Sequence, residues 1–207
     1  MIHGYHIILP MYGFWLPNDP RGSWSDFVWA WELVRFGKAT KTIERRDIME
    51  LTQDELQERE AACNGLKFEP VSINGQQALS IVNGFGFRAK RSNYSIWACA
   101  ILPEHTHLVL ARHTYKVEQM AKLLKAAATT EIVKVGRHPL QKYKAADGSL
   151  PHMWAESQWK VYLDSEEQIE NAIRYVNENP EREGKNRQHW SFISPFRGLE
   201  PGHITYH

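Results

Sequence analysis

Two histidines set two residues apart are the sharpest chemical feature of the chain. They are His105 and His107, in the segment LPEHTHLVL. The segment alternates as a strand does, and side chains at i and i+2 of a strand share a face, about 6.5–7 Å apart along the chain. Both imidazoles can then reach one divalent ion, with Thr106 and Leu108 turned the other way. The same pattern also suits two polar residues on a solvated sheet face. A second feature lies further on, in DSEEQIENAIRYVNENPEREG. Ile169, Ala172, Ile173 and Val176 recur at helical spacing and form a buried stripe. Tyr175, Asn179 and Gln168 fall on the neighbouring stripe. Tyr175 and Asn179, at i and i+4, are adjacent on the helix surface. A phenol and an amide thus stand side by side, with a packing role and an approach to Pro180 as the plainer alternative.

The remaining elements must position these groups. Residues 5–9 read as a first strand, rich in β-branched and aromatic side chains. A Pro- and Gly-dense loop follows over 10–24, then a short helix is expected over 26–36. Thr52 opens a T-x-x-E capping pattern and a helix that Gly65 ends. Residues 76–91 carry a further helix, interrupted by Gly84 and Gly86. Strands over 94–102 and 105–111, separated by Pro103 and Glu104, read as a tight hairpin. A helix over 116–135 presents Val117, Met120, Leu124, Ala127 and Ala128 as its apolar stripe. A short strand is expected over 158–163 and a last helix over 165–179, stopped by Pro180. The polar tail from residue 181 receives no assignment. This order gives an α+β fold, an antiparallel sheet with helices packed on one face.

Bulk composition bounds the function. With 207 residues, 43% hydrophobic and 24% charged, the chain suits one globular domain with a full core. No apolar run is long enough to span a bilayer, and the first residues lack the pattern of a secretion signal. Cys63 and Cys99 have no zinc-ligand spacing, Cys99 reads as a small core residue, and a reducing cytoplasm is the expected setting. The net charge of +1 is low for a protein held on duplex DNA by charge alone. The eight Trp are read mostly as packing groups, with base stacking as a secondary role.

Three segments together resemble the REP-associated tyrosine transposases and related single-strand transposases of insertion sequences, members of the HUH superfamily. LPEHTHLVL is similar to that family's M-P-N-H-x-H-L-x-x. YHIILPMYGFWLPNDPRGSW is similar to its Y-H-strand-T-x-Y-G-T-W-L-P-G-D-x-R-G-S. WAESQWKVYLDSEEQIENAIRYVNENPEREG is similar to its W-x-x-x-strand-L-x-x-E-x-x-x-x-A-I-x-Y-V-x-x-N/Q-P. The segments cover about half the chain, in the family order. Residues 37–71 match nothing in the pattern.

The resemblance implies a single domain over residues 1–207 on a ferredoxin-like antiparallel sheet, with a C-terminal helix carrying the catalytic tyrosine near the second face. It implies Mg2+ or Mn2+ bound by His105, His107 and Asn179, and Tyr175 as nucleophile. The substrate it implies is single-stranded DNA with hairpin structure, cut and rejoined through a 5′-phosphotyrosine. Thr106 stands where the family carries an apolar residue, and Glu104 where it carries Asn or Asp. Close relatives often have Gln at the third ligand, so Glu178 stays open as a substitute for Asn179. Arg21, Arg88, Lys90, Arg91, Lys122 and Lys125 are candidates for phosphate contacts, and equally for ordinary solvated residues. Monomer and homodimer both remain open. Two other readings fit the same residues: an inactive single-strand-binding module, and a metal-dependent hydrolase in which Tyr175 only packs.

Overall fold

The computed structural model describes residues 1–14, 16 and 51–199. Arg21, the helix expected over 26–36 and the first part of the unmatched 37–71 segment lie outside these residues. In chain order the elements are β1 (Gly4–Pro10), α1 (Gln53–Asn64), α2 (Gly75–Ser92), β2 (Ile96–Ile101), β3 (His105–Ala111), α3 (Val117–Lys134), β4 (Trp159–Leu163) and α4 (Glu166–Arg182). Among the described residues no helix is long and apolar enough to cross a membrane.

The strands form one sheet in the order β2-β3-β1-β4, with every neighbouring pair antiparallel. The α+β antiparallel architecture is the expected one. Strand alternation sorts the side chains between two layers. Tyr5, Ile7 and Leu9 of β1 and Leu108 and Leu110 of β3 join Ile81 and Phe85 of α2 and Met120 and Leu124 of α3 in the larger core. Cys99 belongs to this layer, as its apolar surroundings in the sequence predict. Val109 of β3 and Ala98 and Ala100 of β2 face the other way and pack against Ile169 and Val176 of α4. Both faces of the sheet are therefore covered, by α2 and α3 on one and by α4 on the other. Trp97 is the extra residue of a bulge in β2, where Ile96 and Ala98 pair with the adjacent Leu110 and Val109. The bulge turns Trp97 to the α4 side, where its ring meets Phe196.

The capping box read from Thr52 and Glu55 is present at the start of α1, and Gly65 is the C-cap. Gly84 does not interrupt α2; it lets α2 and α3 approach. A Cβ there would lie 2.6 Å from the backbone of Ala127 and Ala128. Gly84→Ala is expected to lower stability by about 1–3 kcal/mol, because the clash with rigid backbone outweighs the roughly 1 kcal/mol gained in helix propensity. Urea unfolding would check this, and a more stable variant would refute the close-approach argument.

One expectation about the C-terminal part needs correction. The last helix does not stop at Pro180 but continues to Arg182. Proline here removes one late helical hydrogen bond without ending the helix. The stop is a Schellman motif: Gly184 has φ 67°, its N–H donates to the Glu181 carbonyl, and the Lys185 N–H donates to the Pro180 carbonyl. The polar tail, which has no assignment from the sequence, is held to β2 by hydrogen bonds. The Gln188 side-chain amide both accepts from the Ile101 N–H at 2.8 Å and donates to the Ile101 carbonyl at 2.7 Å. The Ser194 N–H donates to the Ile96 carbonyl. The tail thereby satisfies backbone groups on the open edge of β2, which otherwise would be left to pair elsewhere.

Candidate functional site

His105 and His107 share the α4 side of β3, an interior strand, with ring centroids 4.8 Å apart. Their face is not solvated. His107 is only 3% exposed and Thr106, on the opposite face, is fully buried. The alternative of two polar residues on a solvated face does not describe it: α4 lies over this face. His6 of β1 faces Val109 across the strand pair and so sits diagonal to His107 on the same side. Its Nε2 lies 3.1 Å from His107 Nδ1. Burial without a charged partner pushes the His6 pKa down to about 4, so this ring is neutral at pH 7.

The stripe of α4 that carries Tyr175 runs along these three rings. The Tyr175 ring is 5.7 Å from His107 and 5.8 Å from His6, centroid to centroid. Two turns later, at i+8, Glu183 brings Oε1 to 3.8 Å from His105 Nε2. Asn179 lies midway between them at i+4, is 7% exposed, and its Oδ1 is buried with no hydrogen-bond partner. A buried amide oxygen left without a donor costs about 1–3 kcal/mol, and such a group calls for a specific explanation. Among the described residues no three His, Cys, Asp or Glu side chains converge as a metal site on their own. The unpartnered Asn179 amide oxygen is a further donor candidate on this face. Two imidazoles and an amide oxygen would make a mixed N/O donor set, better suited to Mn2+ than to the oxygen-preferring Mg2+.

Glu178 is engaged by Arg182. Its carboxylate accepts from Arg182 Nη2 at 2.7 Å. The Arg182 guanidinium also stands 5.2 Å from the Tyr175 ring centroid, so a fixed positive charge borders the phenol. Tyr162, the other tyrosine between the histidine pair and the chain end, packs edge-on against Tyr5 on the opposite face of the sheet.

Of the basic residues proposed for phosphate contact, the five that the structure describes are not brought to the histidine face. Arg88, Lys90 and Arg91 end α2, and Lys122 and Lys125 belong to α3, both on the other side of the sheet. Lys90, Arg91 and Lys122 are exposed. Lys125 is committed to structure: its Nζ donates to the Ala155 carbonyl at 2.7 Å and the Ser157 carbonyl at 3.0 Å. Burial lowers its pKa to about 8.

Sequence reasoning missed His6, Glu183 and Arg182. His6 had a signal, since an even-numbered polar residue in β1 shares a face with Ile8, opposite the apolar Tyr5, Ile7 and Leu9. Glu183 and Arg182 were hidden by ending the helix at Pro180.

Two solved structures are similar to the chain at low identity. The chain is similar to a REP-associated tyrosine transposase. That protein was solved bound to a REP hairpin; the identity is 10%, the TM-score 0.45, and the match covers 88% of this chain and 68% of the other. A second similar structure is a protein from Deinococcus radiodurans R1 named as a candidate transposase, at 12% identity and TM-score 0.42, covering 85% of this chain and 89% of that one. No family model and no curated protein matches the chain. Likeness this low assigns neither a fold nor an activity, so the functional reading rests on the residues and their geometry.

Proposed function

We propose that this protein is a divalent-metal-dependent enzyme that cuts and rejoins single-stranded DNA through a covalent bond to Tyr175, a transposase-type activity on hairpin-containing DNA. The observation that carries the proposal is the α4 stripe. It sets a phenol against His107, a carboxylate against His105, and between them a buried amide oxygen with no hydrogen-bond partner. The sequence resemblance supplies the substrate class. The β2-β3-β1-β4 order, with helices between β1 and β2 and between β3 and β4, supports the ferredoxin-like reading of the sheet.

His105, His107 and Asn179 would hold Mg2+ or Mn2+. An ion there would polarise a non-bridging phosphate oxygen and stabilise the charge that develops on it. Tyr175 Oη attacks phosphorus, an O–P bond forms to the tyrosine, and the P–O3′ bond breaks to free a 3′ hydroxyl. The phenol gives up its proton to solvent as the O–P bond forms, and the departing 3′ oxygen takes one up. Because the phosphoester is conserved on Tyr175, attack by a second 3′ hydroxyl reverses the step and joins strands.

The test is incubation with 5′- and 3′-labelled single-stranded hairpin DNA, with Mn2+ or with chelator, resolved on a denaturing gel. A metal-dependent adduct retaining the 5′-phosphate side supports the proposal. Metal-dependent cleavage without an adduct would favour the hydrolase reading.

The third ligand is tested by comparison. Asn179→Ala is expected to slow single-turnover cleavage by about 10–100-fold. Glu178→Ala should slow it less, because that carboxylate is spent on Arg182. The reverse order would move the role to Glu178.

A further inference from the structure

We infer that His6 is a positioning residue for the proposed metal site, fixing the ring and tautomer of His107 so that His107 offers Nε2 to the ion. The inference rests on the reading of His105 and His107 as ligands and adds a residue to it. Its basis is one contact and its enclosure. His107 Nδ1 is engaged by His6 Nε2 at 3.1 Å, which leaves Nε2 as the nitrogen through which His107 can ligate. The two rings are stacked at 5.4 Å with an interplanar angle of 29°.

The direction of the proton decides whether this contact helps or hinders. A neutral imidazole carries one N–H and one lone pair. If His107 Nδ1–H donates to His6 Nε2, the His107 Nε2 lone pair is available to an ion. If His6 Nε2–H donates instead, His107 carries its own proton on Nε2 and cannot ligate there without losing it. Histidine ligands commonly donate the second ring N–H to an acceptor that fixes their orientation. Here a second imidazole would be that acceptor, in place of a carboxylate or backbone carbonyl.

His6 is held for the task from three sides. Trp159 of β4 meets it edge-on at 5.5 Å, Tyr175 lies at 5.8 Å, and His107 closes the third side. It is 8% exposed, so water competes little for its nitrogens. A ring buried this way against both the ligand and the phenol would also couple the position of His107 to that of Tyr175.

The test has two arms. Nitrogen-15 NMR of the metal-free full chain at pH 7.5 reads the His107 tautomer directly and needs no metal and no activity. The expected result is the Nδ1–H form in the wild type and a mixture, or the Nε2–H form, in His6→Phe. Calorimetry with Mn2+ is then expected to show affinity lowered about 10–100-fold in His6→Phe. His6→Gln, which restores a side-chain acceptor, should recover part of that loss. An Nε2–H tautomer of His107 in the wild type would overturn the inference, as would unchanged Mn2+ affinity in His6→Phe. If the wild type binds no Mn2+ at all, the metal-site reading fails, and the tautomer arm still decides whether His6 orders His107.

Discussion

Tyr175→Phe is expected to bind single-stranded DNA and Mn2+ as the wild type does, yet form no covalent adduct and no cleaved product. The substitution removes one oxygen and keeps the ring. The ring is what packs: it meets His6, His107 and the Arg182 guanidinium, and it borders the apolar layer between α4 and the sheet. Stability should therefore change little, while loss of the attacking oxygen should reduce cleavage by at least about 10³-fold. Tyr162→Phe is the control. Tyr162 is 47% exposed and lies on the α3 side of the sheet, so its variant should cleave nearly normally. Adduct formation by Tyr175→Phe, especially if Tyr162→Phe lost it, would transfer the nucleophile's role.

The second large effect concerns the histidine pair. His105→Ala and His107→Ala should each abolish Mn2+ binding in calorimetry and reduce cleavage by at least about 10²-fold, since each removes a ligand. Their effects on the fold should differ. His105 is only partly buried, at 13% side-chain exposure, and its partner Glu183 is 40% exposed. His107 is 3% exposed and bonded to His6. Its loss leaves a void and a buried imidazole without its partner, costing about 1–3 kcal/mol. For a domain of this size that is a drop in Tm of very roughly 2–12 °C. His105→Ala is thus the cleaner probe of metal binding. Equal Mn2+ affinity in the wild type and both variants would reject the pair as ligands.

Much of this architecture was legible because its signals are local. The His105/His107 spacing fixes a shared face once the segment is a strand. The Thr52 cap, the hairpin at Pro103 and Glu104, and the α3 stripe are likewise written within a few residues of themselves. What failed depended on contacts between distant segments. Nothing near Gln188 predicts that its amide will pair with Ile101, 87 residues earlier. The burial of the histidine face follows from α4 docking across it, which strand alternation alone does not specify. Proline usually stops a helix, but here Gly184 supplies the left-handed residue that ends it. That displaced boundary hid Arg182 and Glu183, the two charged groups that α4 brings to Tyr175 and His105. His6 was passed over because its partner lies 101 residues away.

The central claim is that Tyr175 itself becomes covalently linked to DNA. The most direct measurement is peptide mapping by mass spectrometry after incubating the wild-type chain with single-stranded hairpin DNA and Mn2+, then digesting protein and DNA. The account predicts one modified peptide, carrying a 5′-phosphonucleotide on Tyr175 and absent when metal is chelated. Cleaved DNA with every tyrosine unmodified, or a nucleotide mapped to Tyr162, would contradict it.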